Sequence, residues 1–272
     1  MSIQIINNIS SLVAENAVSN TQTNLQATLQ QLSTGLKINS GADDPAGLSI
    51  ANGLGANIAA LTQSSQNASN GVGLLQTADG ALSQVTTILN QAVTIATEAS
   101  NGGLTTAQST ALNTEFTSIL SEINNIGSQT NFNGTAVFGA TATTFTGDGT
   151  STGDATTTTA VAALTSTVLG INADSLSTAS GAATALLDVN TAISTVAAQR
   201  GTIGASINQL TADSGVENTE VQNLTSAQNN VQNADIATVT SNLTQFNVLE
   251  QTGFDALSQA QSAEQNVLKL LQ

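Results

Sequence analysis

From Asp235 to the end of the chain, apolar residues recur in sevens. One position reads Ile236, Leu243, Glu250, Leu257, Glu264 and Leu271, and the position three further on reads Val239, Phe246, Gly253, Ala260 and Val267. This spacing predicts a helix of roughly 50 Å, at about 1.5 Å per residue, carrying a narrow apolar seam. A single helix cannot bury such a seam. The comparable unattached stretch lies at the opposite end, where Ile9, Leu12, Val18, Leu25, Leu29, Leu32 and Leu36 recur mostly in steps of three, four and seven. The two ends are therefore expected to pair. Glu250 and Glu264 are costly in a dry seam unless paired or wet, so the seam is either partly solvated or part of a larger multi-chain assembly.

Between the ends the pattern loops out and back. The first helix fades at Gly35, a polar link runs from Asn39 to Asp44, and Pro45 behind an Asp N-cap marks a helix start. From there to Ser100, Leu54, Leu61, Ala68, Leu75, Leu82, Leu89 and Ala96 stand at uninterrupted steps of seven. At 40% apolar content, chance gives this about twice in a thousand per register. Gly71 and Gly73 cost about 1 kcal/mol each against Ala and predict a local bend. A helix this long, about 80 Å, exceeds the roughly 50 Å diameter of a compact domain of this length, so a rod is expected.

Asn101-Gly-Gly103 stops that helix, and Thr105 with Gln108 forms a capping-box pattern for the next. Leu112, Phe116, Ile119, Ile123 and Ile126 mark its apolar face, and Gly127 is read as its end. Phe132-Asn-Gly134 reads as a turn and Ala136-Val-Phe138 as a short strand, with Thr143 to Thr146 as its partner. Residues 147–180, rich in Thr, Ala, Gly and Ser, read as an exposed tip of short strands and loops. A third seam follows with Leu186, Val189, Ile193, Val196, Arg200, Ile203, Ile207 and Leu210. It weakens near Asp213-Ser-Gly215, resumes with Val221, Leu224 and Val231, and breaks at Asn233-Ala-Asp235.

The fold class this gives is mainly α: an elongated antiparallel helical bundle or coiled coil with a small β-hairpin and a loop tip. Three divisions are expected. Residues 1–44 and 233–272 are terminal helices, 45–139 and 181–232 a helical rod, and 140–180 a short variable tip.

Composition narrows the chemistry. The 272 residues contain no His, Cys, Trp or Tyr, which removes imidazole and thiolate nucleophiles, most zinc sites and every Ser-His triad. No catalytic, cofactor or metal site is expected. The net charge is −15, with Lys37, Arg200 and Lys269 the only bases, so neither nucleic acid nor an anionic membrane is an expected partner. Few ionisable groups also mean little change of charge in acid, which suits an acidic exterior. No apolar run is long enough to span a bilayer. Met1 to Ala17 lacks a basic n-region, so a Sec signal peptide is not expected and secretion would need another route. Gly147-Asp-Gly149 and Gly153-Asp154 invite a calcium reading, but their spacing does not match an EF-hand loop. The sequons at Asn67, Asn133, Asn223 and Asn242 are read as accidents of composition, and O-glycans on Ser or Thr of the tip as the better-founded modification.

The layout and its motifs resemble bacterial flagellin over nearly the whole chain apart from the tip. Gln31-Leu-Ser-Thr-Gly-Leu-Lys-Ile-Asn-Ser-Gly-Ala-Asp-Asp-Pro-Ala-Gly-Leu-Ser-Ile-Ala51 is similar to the family's N-terminal signature, and Gln129-Thr-Asn-Phe-Asn-Gly134 to its hairpin entry. Leu224-Thr-Ser-Ala227, Asn233-Ala-Asp235 and Gln265-Asn-Val-Leu268 are similar to its C-terminal part. The resemblance implies a filament subunit, exported through the type III apparatus into an extracellular homopolymer. A chaperone and a cap protein are implied as partners. It places Leu25, Leu29, Leu32, Leu36, Ile236, Val239, Leu243, Phe246, Leu257, Val267 and Leu271 in an inner self-assembling layer. The seams through Leu54, Leu61, Leu75, Leu82 and Leu89, and through Ile193, Val196, Ile203, Ile207 and Leu210, form the surrounding layer.

Members recognised by Toll-like receptor 5 carry an Arg and a Glu at positions matching Gln91 and Thr94 or its neighbour. Asn90 to Thr97 is uncharged here, so weak or no recognition is expected. Bases expected near Gln209 and Gln228 are also missing, which leaves aliphatic packing and amide hydrogen bonds to dominate between subunits. Arg200 reads equally as a residue snorkelling at the seam edge and as an ion-pair donor to another subunit. Lys37 is expected to hold a helix C-terminus. The other functions open to the sequence are a hook–filament junction protein and a secreted coiled-coil adhesin.

Overall fold

The structure is a computed structural model describing residues 9–149 and 155–270, with only the backbone of residues 155, 264 and 266–270. Its elements are α1 (Ile9–Thr34), α2 (Pro45–Ala99), α3 (Thr106–Gln129), β1 (Asn131–Phe132), β2 (Thr135–Ala136), β3 (Ala140–Thr146), β4 (Ala155–Val161), α4 (Ala179–Gln232) and α5 (Ile236–Leu270). The fold is mainly α, as the periodicity requires. The chain divides into two compact units, Asn57–Asn223 and Met1–Ala56 with Leu224–Gln272. The division falls within α2 and α4, not at the polar links.

In the unit of residues 57–223, α2 and α4 run antiparallel. Ser65 Oγ lies 2.8 Å from Ser214 Oγ, and Arg200 meets Asp79 further along. Of the α2 seam, Leu61, Ala68, Leu75, Leu82, Leu89 and Ala96 are at 3% exposure or less, while Leu54, which belongs to the other unit, is only half-buried. A second row three residues on is equally buried and was missed: Ser64, Ala78, Val85, Ala92 and Ala99. Small side chains in that row allow neighbouring segments to come close. Gly71 belongs to it, and a Cβ there would stand 2.7 Å from Thr144 Oγ1 and 3.1 Å from Leu210 Cδ1. The helix passes through Gly71 and Gly73 without interruption. On α4 the buried row is Ala182, Val189, Val196, Ile203, Leu210 and Glu217, at steps of seven, flanked by Ala185 and Ala192. Ile193 and Ile207 are half-buried beside it. Each buried Leu, Ile or Val of these rows stabilises the unit by roughly 1.5–3 kcal/mol.

The capping box of α3 forms: the Gln108 amide donates to Thr105 Oγ1 at 3.4 Å and the Thr105 amide to Gln108 Oε1 at 2.8 Å. Phe116, Ile119, Leu120 and Ile123 face the core. Gly127 does not end the helix, which continues to Gln129. Its role is close approach, because a Cβ there would collide with the Leu164 carbonyl. Asn133 and Gly134 both have positive φ, 51° and 77°, in the two-residue turn joining β1 to β2, the backbone a type I′ hairpin needs. The expected strand 136–138 is not the partner of Thr143 to Thr146. β3 pairs antiparallel with β4, Ala140 opposite Val161 and Thr146 opposite Ala155.

The stretch 147–180 is not simply an exposed tip. Thr157, Thr159 and Val161 alternate inward on β4, and Leu164, Leu169, Ile171 and Leu176 join the core. Two amides of α3 hold this irregular segment. Asn124 Oδ1 accepts from the Ser166 amide at 2.8 Å and Asn113 Oδ1 from the Leu176 amide at 2.7 Å. Threonine supplies a methyl group to the buried face of β4, which is why its alternation escapes a count of apolar residue types.

A candidate self-assembly surface

The unit containing both ends is built on α1, α5 and the links beside them. α1 stops where Gly35 turns to φ +73°, its amide bonded to the Gln31 carbonyl at 2.8 Å, the αL ending that glycine favours. The links then join by main-chain bonds: the Lys37 amide donates to Gln232 O at 2.8 Å and the Ala234 amide to Gly35 O at 2.9 Å. Lys37 Nζ reaches Asn230 O at 3.4 Å, so the C-terminus it holds belongs to α4. Asp43 Oδ2 accepts from the amides of Asn39 and Ser40 at 3.0 and 2.8 Å, and these bonds hold its carboxyl below the usual aspartate range. Asp44 caps α2 through the amides of Ala46 and Gly47, as the Asp-Pro pair requires. Asp235 caps α5, bonded by the Thr238 hydroxyl and the Ala237 amide, which lower its pKa in that order.

α1 and α5 pair antiparallel. On α5 the covered face is the register read from the sequence: Val239 is buried, and Leu243, Phe246, Glu250, Gly253, Leu257 and Ala260 are half-buried. Gly253 admits Val18, whose Cγ2 would lie 2.7 Å from an added Cβ. Glu250 Oε1 accepts from Gln22 Nε2 at 3.3 Å, so this seam carboxylate is both paired and wet. Val267 is helical, its side chain outside the described atoms, and Leu271 lies outside the described residues.

The α1 face differs from the expectation. It comprises Ser11, Ala14, Val18, Thr21, Leu25, Thr28 and Leu32, buried or half-buried. Three of its seven positions are hydroxylic. Thr21 and Thr28 return their hydroxyls to the carbonyls four residues back, at 2.8 and 2.7 Å, leaving the methyl groups for the seam. Leu12 and Leu29 are rotated off that face, and Leu36 lies in the link bridge opposite Asn233. The helices therefore leave apolar residues uncovered: Ile9, Leu12, Val13 and Leu29 on α1, and Ile236, Val248, Leu249 and Phe254 on α5. These eight are 44–63% exposed.

Two sequence expectations about polar contacts resolve within the chain. Arg200 grips Asp79 bidentately, Nε to Oδ1 at 2.7 Å and Nη2 to Oδ2 at 3.2 Å, and this hydrogen bonding raises its pKa. Its ion pair is thus intramolecular. Gln209 and Gln228, where bases were missed, donate to Thr157 Oγ1 at 3.4 Å and to Ala51 O at 3.1 Å. Among the described residues no cluster of acidic side chains is arranged to hold a metal ion, and no helix is long and apolar enough to cross a membrane.

One unit thus pairs the terminal helices and leaves eight large apolar residues uncovered, and the other is a packed antiparallel helical unit. Residues 5–143 match the family described as bacterial flagellin N-terminal helical region, and residues 186–271 the bacterial flagellin C-terminal helical region. The chain belongs to the bacterial flagellin family. It is 44% identical over 135 residues to a flagellin of Serratia marcescens, covering 49% of this chain and 38% of that protein. Flagellin 1 of Proteus mirabilis is 40% identical over 49% of this chain and 37% of its own length, and a flagellin of Salmonella muenchen 39% over 49% and 27%. The chain thus spans well under half the length of these relatives. The crystal structure of Bacillus cereus flagellin is similar at 26% identity and a TM-score of 0.49, covering 56% of this chain and 88% of that one.

Proposed function

We propose that this chain is a structural subunit of the bacterial flagellar filament, polymerising into a hollow helical array that drives swimming. The carrying observation is the uncovered apolar side chains on both members of the α1–α5 pair. A pair with one apolar seam would cover it and be finished, whereas this one retains eight exposed large apolar residues. Repeated contacts between unlike faces build an open polymer, and such residues are what those contacts bury. Leu25, Leu29, Leu32, Ile236, Leu243 and Phe246 belong to that inner layer, and the unit of residues 57–223 to the layer around it.

The finer readings rest on the family. The chain leaves the cell through the type III export route, attended by a chaperone and placed by a cap protein, and resides in the extracellular filament. Recognition by Toll-like receptor 5 is weak in this reading, because Asn90 to Thr97 carries none of the charges that recognised members hold there. The test is seeded polymerisation followed by electron microscopy. The full chain is expected to extend seeds into long filaments, and a chain lacking the last forty residues to remain monomeric. Filament growth by the truncated chain overturns the proposal.

A further inference from the structure

The α4 row of buried residues at steps of seven ends on an acid. Glu217 occupies the position after Leu210, is 5% exposed, and meets Ser64 of the small-residue row on α2. Ser64 Oγ lies 2.6 Å from Glu217 Oε1 and 3.2 Å from the Phe145 carbonyl, and accepts from the Gly147 amide at 2.8 Å. A serine hydroxyl has one hydrogen. If Glu217 is ionised, that hydrogen is wanted by two acceptors, and Glu217 Oε2 is a buried carboxylate oxygen with no donor. If Glu217 is protonated, the conflict disappears: its O–H donates to Ser64 Oγ, and Ser64 donates onward to Phe145.

The surroundings favour the neutral form. The charged groups acting on Glu217 are Asp213 and Glu220 of α4, both acids, and Asp148 is the acid of the segment leaving β3. α2 carries no titratable side chain between Pro45 and Asp79, and β3 and β4 carry none. Arg200 is committed to Asp79. Burial, more than these neighbours, raises the Glu217 pKa from its ordinary 4.5.

We propose that Glu217 is a proton-gated clamp, whose neutral carboxyl completes the chain Glu217–Ser64–Phe145 and pins the end of β3, from Phe145 to Gly147, onto α2 and α4. Loss of the proton loosens the clamp, because Ser64 turns its hydrogen to the carboxylate and drops the Phe145 carbonyl, leaving the strand end held by the Gly147–Ser64 bond alone and freer to open. The clamp is fully closed below the ordinary glutamate value and opens as pH rises through the raised one. Glu217 is a positioning residue here.

Hydrogen exchange of the full-length monomer tests this, read as the protection factor of the Gly147 amide between about pH 4 and about pH 8, a range that brackets ordinary and raised carboxyl values. Protection is expected to fall several-fold with rising pH in the parent chain. E217Q, whose amide N–H can replace the acid's donor, is expected to hold high protection throughout, and S64A to show low protection at every pH. Following the Glu217 carboxyl carbon by NMR in the unmodified chain supplies a second readout, with a midpoint above 4.5 expected. A parent chain with pH-independent protection overturns the clamp. So does E217Q retaining the parent's pH profile, or a carboxyl midpoint at or below the ordinary value.

Discussion

The two units share one sequence device and reach different depths of burial. In residues 57–223 the heptad side chains of α2 are sealed to 3% exposure or less, whereas among the described residues of α1 and α5 only Val18, Thr28 and Val239 are buried. The difference is the number of neighbours. α2 is flanked by α4, by α3 and by the β3–β4 pair, so two adjacent rows disappear. α1 has α5 on one side and leaves Leu12, Leu29 and their neighbours open. Periodicity reports which stripe of a helix packs first, and the number of elements that arrive decides how much else is covered.

Truncation should separate the units most sharply. Phe116→Ala, at 0% exposure in the core, is expected to cost about 3–5 kcal/mol in urea unfolding of the monomer. Leu243→Ala, half-buried on α5, should cost far less in the monomer, and its larger effect should appear as slower growth of seeded filaments. Equal monomer losses from the two substitutions would erase the contrast.

Adding a methyl group sharpens it further. Gly127→Ala meets the Leu164 carbonyl, and backbone cannot rotate away, so a loss of about 1–3 kcal/mol is expected. Gly253→Ala meets a methyl of Val18, which can turn, and the helix gains up to about 1 kcal/mol from replacing glycine. The thermal midpoint should fall in the first case and stay nearly constant in the second. Arg200→Ala removes a half-exposed ion pair, worth about 0.2–1 kcal/mol. That loss should shrink with added salt when the comparison is repeated at high ionic strength.

The two units are also expected to respond to acid in opposite directions. Burial, then the neighbouring Asp188 charge, pushes the Asp174 carboxyl up to about 6. Its stabilisation is complete below the ordinary 3.8 and is lost as pH rises through about 6. Asp43 and Asp235 are lowered by their hydrogen bonds, so their contribution is present above 3.8 and lost as pH falls through their folded values. Acidification from neutrality should therefore first firm residues 57–223 and only later loosen the links. Hydrogen exchange resolved by segment checks this, and simultaneous loosening of both would contradict it.

Much of this was legible. The α2 rows, the Asp44–Pro45 start, the α3 capping box and the α5 register all follow from spacing and a few cap residues. What escaped were positions where small or hydroxylic residues do apolar duty. Thr28 packs because its hydroxyl is spent on Asn24 O, and Thr157 and Thr159 pack on β4 through their methyl groups. A tally of Leu, Ile and Val passes over all three. Gly127 was misread because a glycine required by a distant carbonyl looks, in sequence, the same as one that stops a helix. Arg200 found its partner 121 residues away, a distance no local pattern encodes. The exposed apolar residues of the candidate site were visible as residues, but which of them α5 would cover depended on the α1 face.

The short bridge between Leu36 and Asn233 sets a mechanical rule for the pair it joins. Two segments nearly two hundred positions apart in the polypeptide are fastened there with the accuracy of an ordinary tight turn. One residue inserted just ahead of Gly35 would wheel α1 by about 100° against its partner, turning Leu12 and Leu29 toward α5 and the threonines outward. The knot is thus an angular index, and it decides which side of each terminal helix stays uncovered, the side that the proposed assembly would bury.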